Sequence, residues 1–120
     1  MAIEYEIDTK DGIVSLHFSS PPVMEDYQST FPNVLREVAA ARIERWLLAL
    51  DYSEPSSDDK VHGFSEFVAQ EISRYVKKMA VVCPLQGHAR INDVLEPIRN
   101  QGKPIEMFET VDEARHWLRQ

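Results

Sequence analysis

The sequence has one cysteine, Cys83, among 120 residues, so no disulfide forms within the chain. No Cys/His grouping has the spacing of a structural zinc site. A lone thiol fits a reducing compartment. Long apolar runs are also missing: the longest, such as Trp46-Leu47-Leu48-Ala49-Leu50, are far too short to span a bilayer. The opening residues carry Glu4, Glu6 and Asp8 and no apolar core of signal-peptide length. These absences predict a soluble cytoplasmic protein with no transmembrane segment. Positive charge is scarce, with 13 Lys and Arg against 20 Asp and Glu and a formal charge of −7. That balance argues against a nucleic-acid binder relying on phosphate neutralisation. Glycine is sparse, at four residues, and neither a Gly-rich fingerprint nor a Walker lysine is present to cradle a phosphate.

What is there suits one compact domain spanning residues 1–120. With 43% hydrophobic and 28% charged residues, a chain of this length buries roughly two thirds of its unfolded surface and needs no covalent staple. Ile3, Tyr5 and Ile7 alternate with Glu4, Glu6 and Asp8, the period of a half-buried strand. Asp11-Gly12 supplies a turn, and Val14, Leu16 and Phe18 alternate with Ser15, His17 and Ser19 in a returning antiparallel strand. Over residues 24–42, Tyr27, Phe31, Val34, Leu35 and Val38 recur at helical spacing. Pro32 inside that run predicts a kink or two short helices.

Trp46 to Leu50 and Met79-Ala80-Val81-Val82-Cys83 read as strands covered on both faces. Between them, residues 52–60 form a polar loop, and residues 61–76 repeat Phe64, Phe67, Val68, Ile72 and Tyr75 helically. A third helix carries Ile91, Val94, Leu95 and Ile98, with Pro97 making its last turn suspect, and Asn100-Gln101-Gly102-Lys103-Pro104 ends it. Ile105 to Phe108 is the last strand, and Thr110-Val111-Asp112-Glu113 matches a capping box opening a helix with Ala114, Trp117 and Leu118 inward. The order β-β-α-β-α-β-α-β-α predicts an α/β fold: a mostly parallel five-stranded sheet with an N-terminal antiparallel hairpin. The early strands are wet on one side, so one sheet face is expected to lack a full helical layer, and a partner subunit in a homodimer would cover it.

Several segments together resemble a known family. They are Glu25-Asp26-Tyr27 with Phe31-Pro32, Leu47-Leu48-Ala49-Leu50-Asp51, Lys78-Met79-Ala80-Val81-Val82, and Phe108 followed by Glu113-Ala114-Arg115-His116-Trp117-Leu118. The chain is similar to the SpoIIAA-like family of small bacterial proteins, which is related to the STAS fold and grouped with Sec14-type domains. The resemblance implies a non-enzymatic regulatory or protein-interaction module; the Sec14 kinship implies, as the alternative, a carrier or sensor of a small apolar ligand or lipid. STAS proteins that resemble anti-sigma-factor antagonists carry a phosphorylatable serine in an Asp-Ser-Ser-Gly-type motif. Asp51-Tyr52-Ser53 resembles the strand-end part of it, but Ser56-Ser57 is followed by Asp58-Asp59, and Gly63 follows His62. The phosphorylation site is therefore not carried over.

Ligands of open parallel sheets gather beyond the carboxyl ends of the strands, here near Ser19-Ser20, Asp51-Tyr52-Ser53, Cys83-Pro84 and Glu109-Thr110. Asp51, Ser53, Ser56, Ser57 and His62 form either a polar docking loop or simply the cap and solvated entry of the helix that follows. Cys83 and His88 read either as a nucleophile with its base or as a small buried thiol beside an unrelated imidazole. Gly87-His88 either presents amides to an anion or is an ordinary helix entry. His17, His62, His88 and His116 fall on four elements with no pair at i, i+3 or i+4, so no metal and no cofactor is expected. Acids crowd the chain up to Glu71, and Arg74, Lys77 and Lys78 cluster just after.

Overall fold

The computed structural model describes residues 3–20, 23–52, 74, 76–100 and 102–120. The helix expected over residues 61–76 and the loop before it lie almost wholly outside the described residues. The strands are β1 (Ile3–Asp8), β2 (Ile13–Phe18), β3 (Arg45–Leu50), β4 (Lys78–Val82) and β5 (Ile105–Phe108). They lie side by side in sequence order in one sheet. β1 runs antiparallel to β2, and β2 to β5 are mutually parallel. The hairpin closes where Gly12 adopts φ 68° and donates its N–H to the Asp8 carbonyl at 2.9 Å. Asp8 Oδ1 accepts the amides of Lys10 and Asp11, so the aspartate organises the turn that glycine completes.

The helices are α1 (Met24–Ala41), α2 (His88–Val94), α3 (Glu96–Arg99) and α4 (Val111–Leu118). α1 continues through Pro32 as one helix, so the chain does not divide there into the two short helices that were one of the expected outcomes. Pro32 and Gln28, whose carbonyl loses its usual amide, both sit on the exposed side of the helix, where water replaces the missing bond. The third helical pattern divides into α2 and α3 around Leu95, because Pro97 has no amide for the i−4 carbonyl.

Strand alternation sends side chains to two faces. Ile7, Val14, Trp46, Met79 and Ile105 line up across the sheet in register, and this face packs against Phe31, Val34 and Val38 of α1 and Ile91 and Leu95 of α2. The opposite face buries Ile13, Leu47, Ala80 and Val82 under Ala114 and Leu118 of α4. Right-handed crossovers that add strands steadily in one direction deliver their helices to the same side of the sheet. Only a helix after the last strand is free to take the other side, and α4 does so.

An eight-residue helix is about 12 Å long and strands are about 4.8 Å apart, so α4 covers only part of its face. It lies over β3, β4 and β5, and Glu4, Glu6 and His17 beyond it remain exposed. Polar ties fix its position. Arg115 pairs with Asp8 at 3.6 Å, Arg119 pairs with Asp11 at 2.8 Å, and Lys78 Nζ donates to the carbonyls of Trp117 (3.0 Å) and Gln120 (3.3 Å). Lys78 also sits 4.6 Å from the Trp117 ring centre, so one cation serves the helix C-terminus and an aromatic face together. Among the described residues, no helix is long and apolar enough to cross a membrane.

Candidate functional site

Because β2 to β5 are parallel, the segments that follow them emerge at one end of the sheet. Asp51 leaves β3 with its amide donated to the Phe18 carbonyl at 2.9 Å. Its carboxylate accepts from His17 Nε2 at 2.7 Å, both side chains being about half exposed. Asp51 continues the face of Leu47 and Ala49. Cys83 continues the face of Met79 and Val81 and is buried in the core with them. Asp51 and Cys83, which follow neighbouring strands, thus face opposite sides of the sheet. Ser53, Ser56, Ser57 and His62, grouped with Asp51, lie outside the described residues.

Cys83 and His88 do come together, but not as nucleophile and base. The His88 Nε2–H donates to the Cys83 main-chain carbonyl at 3.0 Å, and burial pushes the Cys83 thiol above its ordinary pKa. A thiolate nucleophile needs the opposite, a nearby cation or base lowering that value. Nor does Gly87-His88 present free amides to an anion. Gly87 N–H donates to the Pro84 carbonyl at 2.9 Å, and His88 N–H donates to Leu85. These bonds close the 3-10 turn Leu85–Gly87, so the donors are used locally.

The residue that sequence reasoning missed is Tyr52, which it left in a polar loop. Tyr52 is half-buried and packs against the core that holds Cys83. Burial is the main cause of a phenol pKa far above the ordinary value, and the neighbouring Tyr27 phenol and Cys83 thiol add to it. Tyr27 in turn stands 5.2 Å from the Phe31 ring. The available signal was strand parity: Trp46, Leu48, Leu50 and Tyr52 share one side. A phenol whose folded pKa is raised contributes stability below its unfolded pKa of about 10, and that contribution is lost as pH rises above it. Chemical denaturation at stepped pH is expected to show stability falling by up to about 1.4 kcal/mol per pH unit beyond about pH 10. Tyr52→Phe removes this part of the slope, and an identical slope in the variant would refute the assignment.

Thr30, on α1 one residue before Phe31, is 3% exposed, and its hydroxyl has no hydrogen-bond partner. An unpartnered buried hydroxyl costs about 1–3 kcal/mol. Thr30→Val keeps the shape and removes the group, so urea denaturation is expected to show a gain of about 1 kcal/mol. A loss of stability would show that the hydroxyl has a partner in solution.

The outer surface of this end has a different character. Val23, Leu85 and Val111 are exposed to 56%, 62% and 41%, and each follows the carboxyl end of a parallel strand. Val23 occupies the N-cap of α1, where it offers no side-chain oxygen; only the Asp26 carboxylate reaches back, accepting the Val23 amide at 3.0 Å. Thr110 shows the ordinary solution at α4, its Oγ1 accepting the Glu113 amide at 3.3 Å. The helix first turns and strand ends at this end of the sheet also carry acids: Glu25, Asp26, Asp51, Glu109, Asp112 and Glu113. Val23 and Leu85 belong to the helical layer on the first face and Val111 to α4 on the second. Among the described residues, no three His, Cys, Asp or Glu side chains group to hold a metal ion.

No protein-family model matches the chain, and no curated protein matches it. Its structure is similar to the crystal structure of an uncharacterised protein of the DUF3478 family, with a SpoIIAA-like fold, from Shewanella loihica PV-4. The TM-score is 0.68 at 17% identity, covering 98% of this chain and 92% of that one. The chain therefore has the SpoIIAA-like fold, as the resemblance read in its sequence implied.

Proposed function

We propose that this SpoIIAA-like chain is a non-enzymatic protein-interaction module that works through the carboxyl end of its sheet. The observation that carries the reading is the placement of Val23, Leu85 and Val111, each exposed just beyond the carboxyl end of a parallel strand, the end where open parallel sheets bind their ligands. The buried Cys83 thiol, its pKa raised by burial, beside a His88 ring committed to a main-chain carbonyl supports the same reading. A lone reduced thiol also supports a cytoplasmic place of action.

The test is site-specific photo-cross-linking in cells, with a benzoylphenylalanine at position 85 and, as control, at exposed Ala40. An adduct with another protein at position 85 and none at position 40 is the expected result. Turnover of a substrate in an activity screen, without any adduct at either position, would overturn the proposal. Self-association is measured separately, by sedimentation velocity. A homodimer through the uncovered part of the second face, beside Glu4, Glu6 and His17, is expected to sediment as a species of twice the chain mass.

A second reading, a carrier of a small apolar ligand, draws on the aromatic grouping of Tyr27, Phe31 and Tyr52 beside Cys83. Native mass spectrometry of gently purified protein tests it, because a carrier shows a mass excess that denaturation releases.

A further inference from the structure

We infer that the outer edge of β1, away from the strand-carboxyl end, receives an extended basic segment of another protein as a sixth strand, its Lys or Arg side chains lying beside Glu4 and Glu6. The direction of the backbone groups follows from the ladder. The Asp51 amide bonds the Phe18 carbonyl at 2.9 Å, so Phe18, Leu16 and Val14 turn their backbone groups to β3, and His17, Ser15 and Ile13 turn theirs to β1. In register these meet Glu4, Glu6 and Asp8, which leaves the N–H and C=O of Ile3, Tyr5 and Ile7 directed away from β2. Ile3 is 2% exposed, whereas Tyr5 and Ile7 are only partly buried, so the docking positions are Tyr5 and Ile7. Among the described residues no strand lies beyond β1 to bond them. The other edge of the sheet differs. β5 is four residues long, and the Ile105 carbonyl accepts from Arg99 at 3.3 Å. β1 has six residues, an unbroken register and no proline, so shortness, a bulge and proline do not blunt it.

Charge selects the occupant. Residues directly opposite each other in a sheet share a face. A strand added to β1 therefore sets one alternate set of side chains beside Tyr5 and Ile7 and the other beside Glu4, Glu6 and Asp8. Asp8 already pairs with Arg115 at 3.6 Å. His17, across from Glu4, bonds Asp51. On the first face Glu37 accepts from Tyr5, and Arg36 bonds Asn33 at 2.7 Å; Lys10 lies in the turn after β1. Glu4 and Glu6 are exposed and have no ion-pair partner among the described residues. A second copy joined antiparallel at this edge must set its outward odd positions on odd ones, and carboxylate then falls opposite carboxylate, which disfavours it. An extended segment that alternates apolar and basic residues fits both sets of neighbours at once.

The probe is a seven-residue peptide alternating valine and lysine, blocked at both ends and titrated into the full chain by NMR. In the free protein the amides of Tyr5 and Ile7 are expected to exchange faster than those of Glu6 and Asp8, and on binding they gain protection. Methylating the valine amides of the peptide, which face β1, is expected to abolish binding; methylating the lysine amides leaves it. Glutamate in place of lysine abolishes it as well. Glu4→Lys combined with Glu6→Lys is expected to weaken the lysine peptide about ten-fold and to confer binding of the glutamate peptide, a gain that misfolding does not produce. Slow exchange at Tyr5 and Ile7 in the free chain, no binding, equal binding of the glutamate or valine-methylated peptide, or an unreversed charge preference in the double variant would each overturn the inference, leaving Glu4 and Glu6 as charges that only keep copies of the chain apart.

Discussion

Trp46→Ala is expected to destabilise the fold by about 3–5 kcal/mol, the range for truncating a large buried aromatic. Trp46 is 1% exposed near the start of β3, the middle strand of the sheet, between Val14 of β2 and Met79 of β4 in register, and its ring packs in the core on the face that α1 covers. Domains of this size have about 5–15 kcal/mol in total, so the variant loses a large share of its stability. The loss is read as a lower midpoint in urea, followed by circular dichroism. Trp46 also carries a buried indole N–H with no hydrogen-bond partner. Trp46→Phe removes that unsatisfied donor while keeping an aromatic ring, so part of the lost packing is offset. The phenylalanine variant is expected to lie much closer to the parent than to the alanine variant. Equal losses for both would show that the indole N–H is satisfied in solution.

The second large effect is expected at Leu118, where Leu118→Ala costs about 2–5 kcal/mol. The inner side of α4 offers only Ala114 and Leu118 as fully buried apolar side chains, with Trp117 packed at its edge against Phe108 at 5.8 Å. Ala114 is already small, so Leu118 supplies most of the apolar area that seats the helix. The ties from Arg115, Arg119 and Lys78 reach α4 from its rim, and such partly exposed ion pairs contribute little by themselves. Hydrogen exchange should separate local from global damage: the amides of α4 lose protection first, while those of β3 and β4 fall only by the change in global stability. Unchanged protection in α4 would mean that the polar ties, not Leu118, hold it.

Much of this fold is legible in strand and helix periods. Ile3, Tyr5 and Ile7, then Val14, Leu16 and Phe18, all turn to the α1 side as their alternation requires. Thr110 caps α4 as its spacing to Glu113 predicts. Pro32 did not divide α1, because a local propensity yields when the affected carbonyl faces water and Phe31, Val34 and Val38 on the other side are buried. The candidate site was far less legible. Reading along the chain grouped Asp51 with Ser53, Ser56, Ser57 and His62, which lie outside the described residues; alternation places Asp51 across the sheet from Cys83, and Tyr52, which neighbours Cys83, looked like part of a loop. The Cys83 and His88 spacing placed the two together without revealing that the ring bonds a carbonyl.

By itself, the sequence determined the order of the described strands, the hairpin turn, the polarity of each strand face, and an acidic chain with a single cysteine, because these depend on composition and on neighbours a few residues apart. Only the tertiary structure decided that α4, among the described helices, crosses to the second face, and that Tyr52 joins Cys83. Those outcomes depend on the direction in which parallel strands are added, which sets where every helix begins and ends. Val23, Leu85 and Val111 are far apart in the chain, and they share one end because β2, β4 and β5 point the same way.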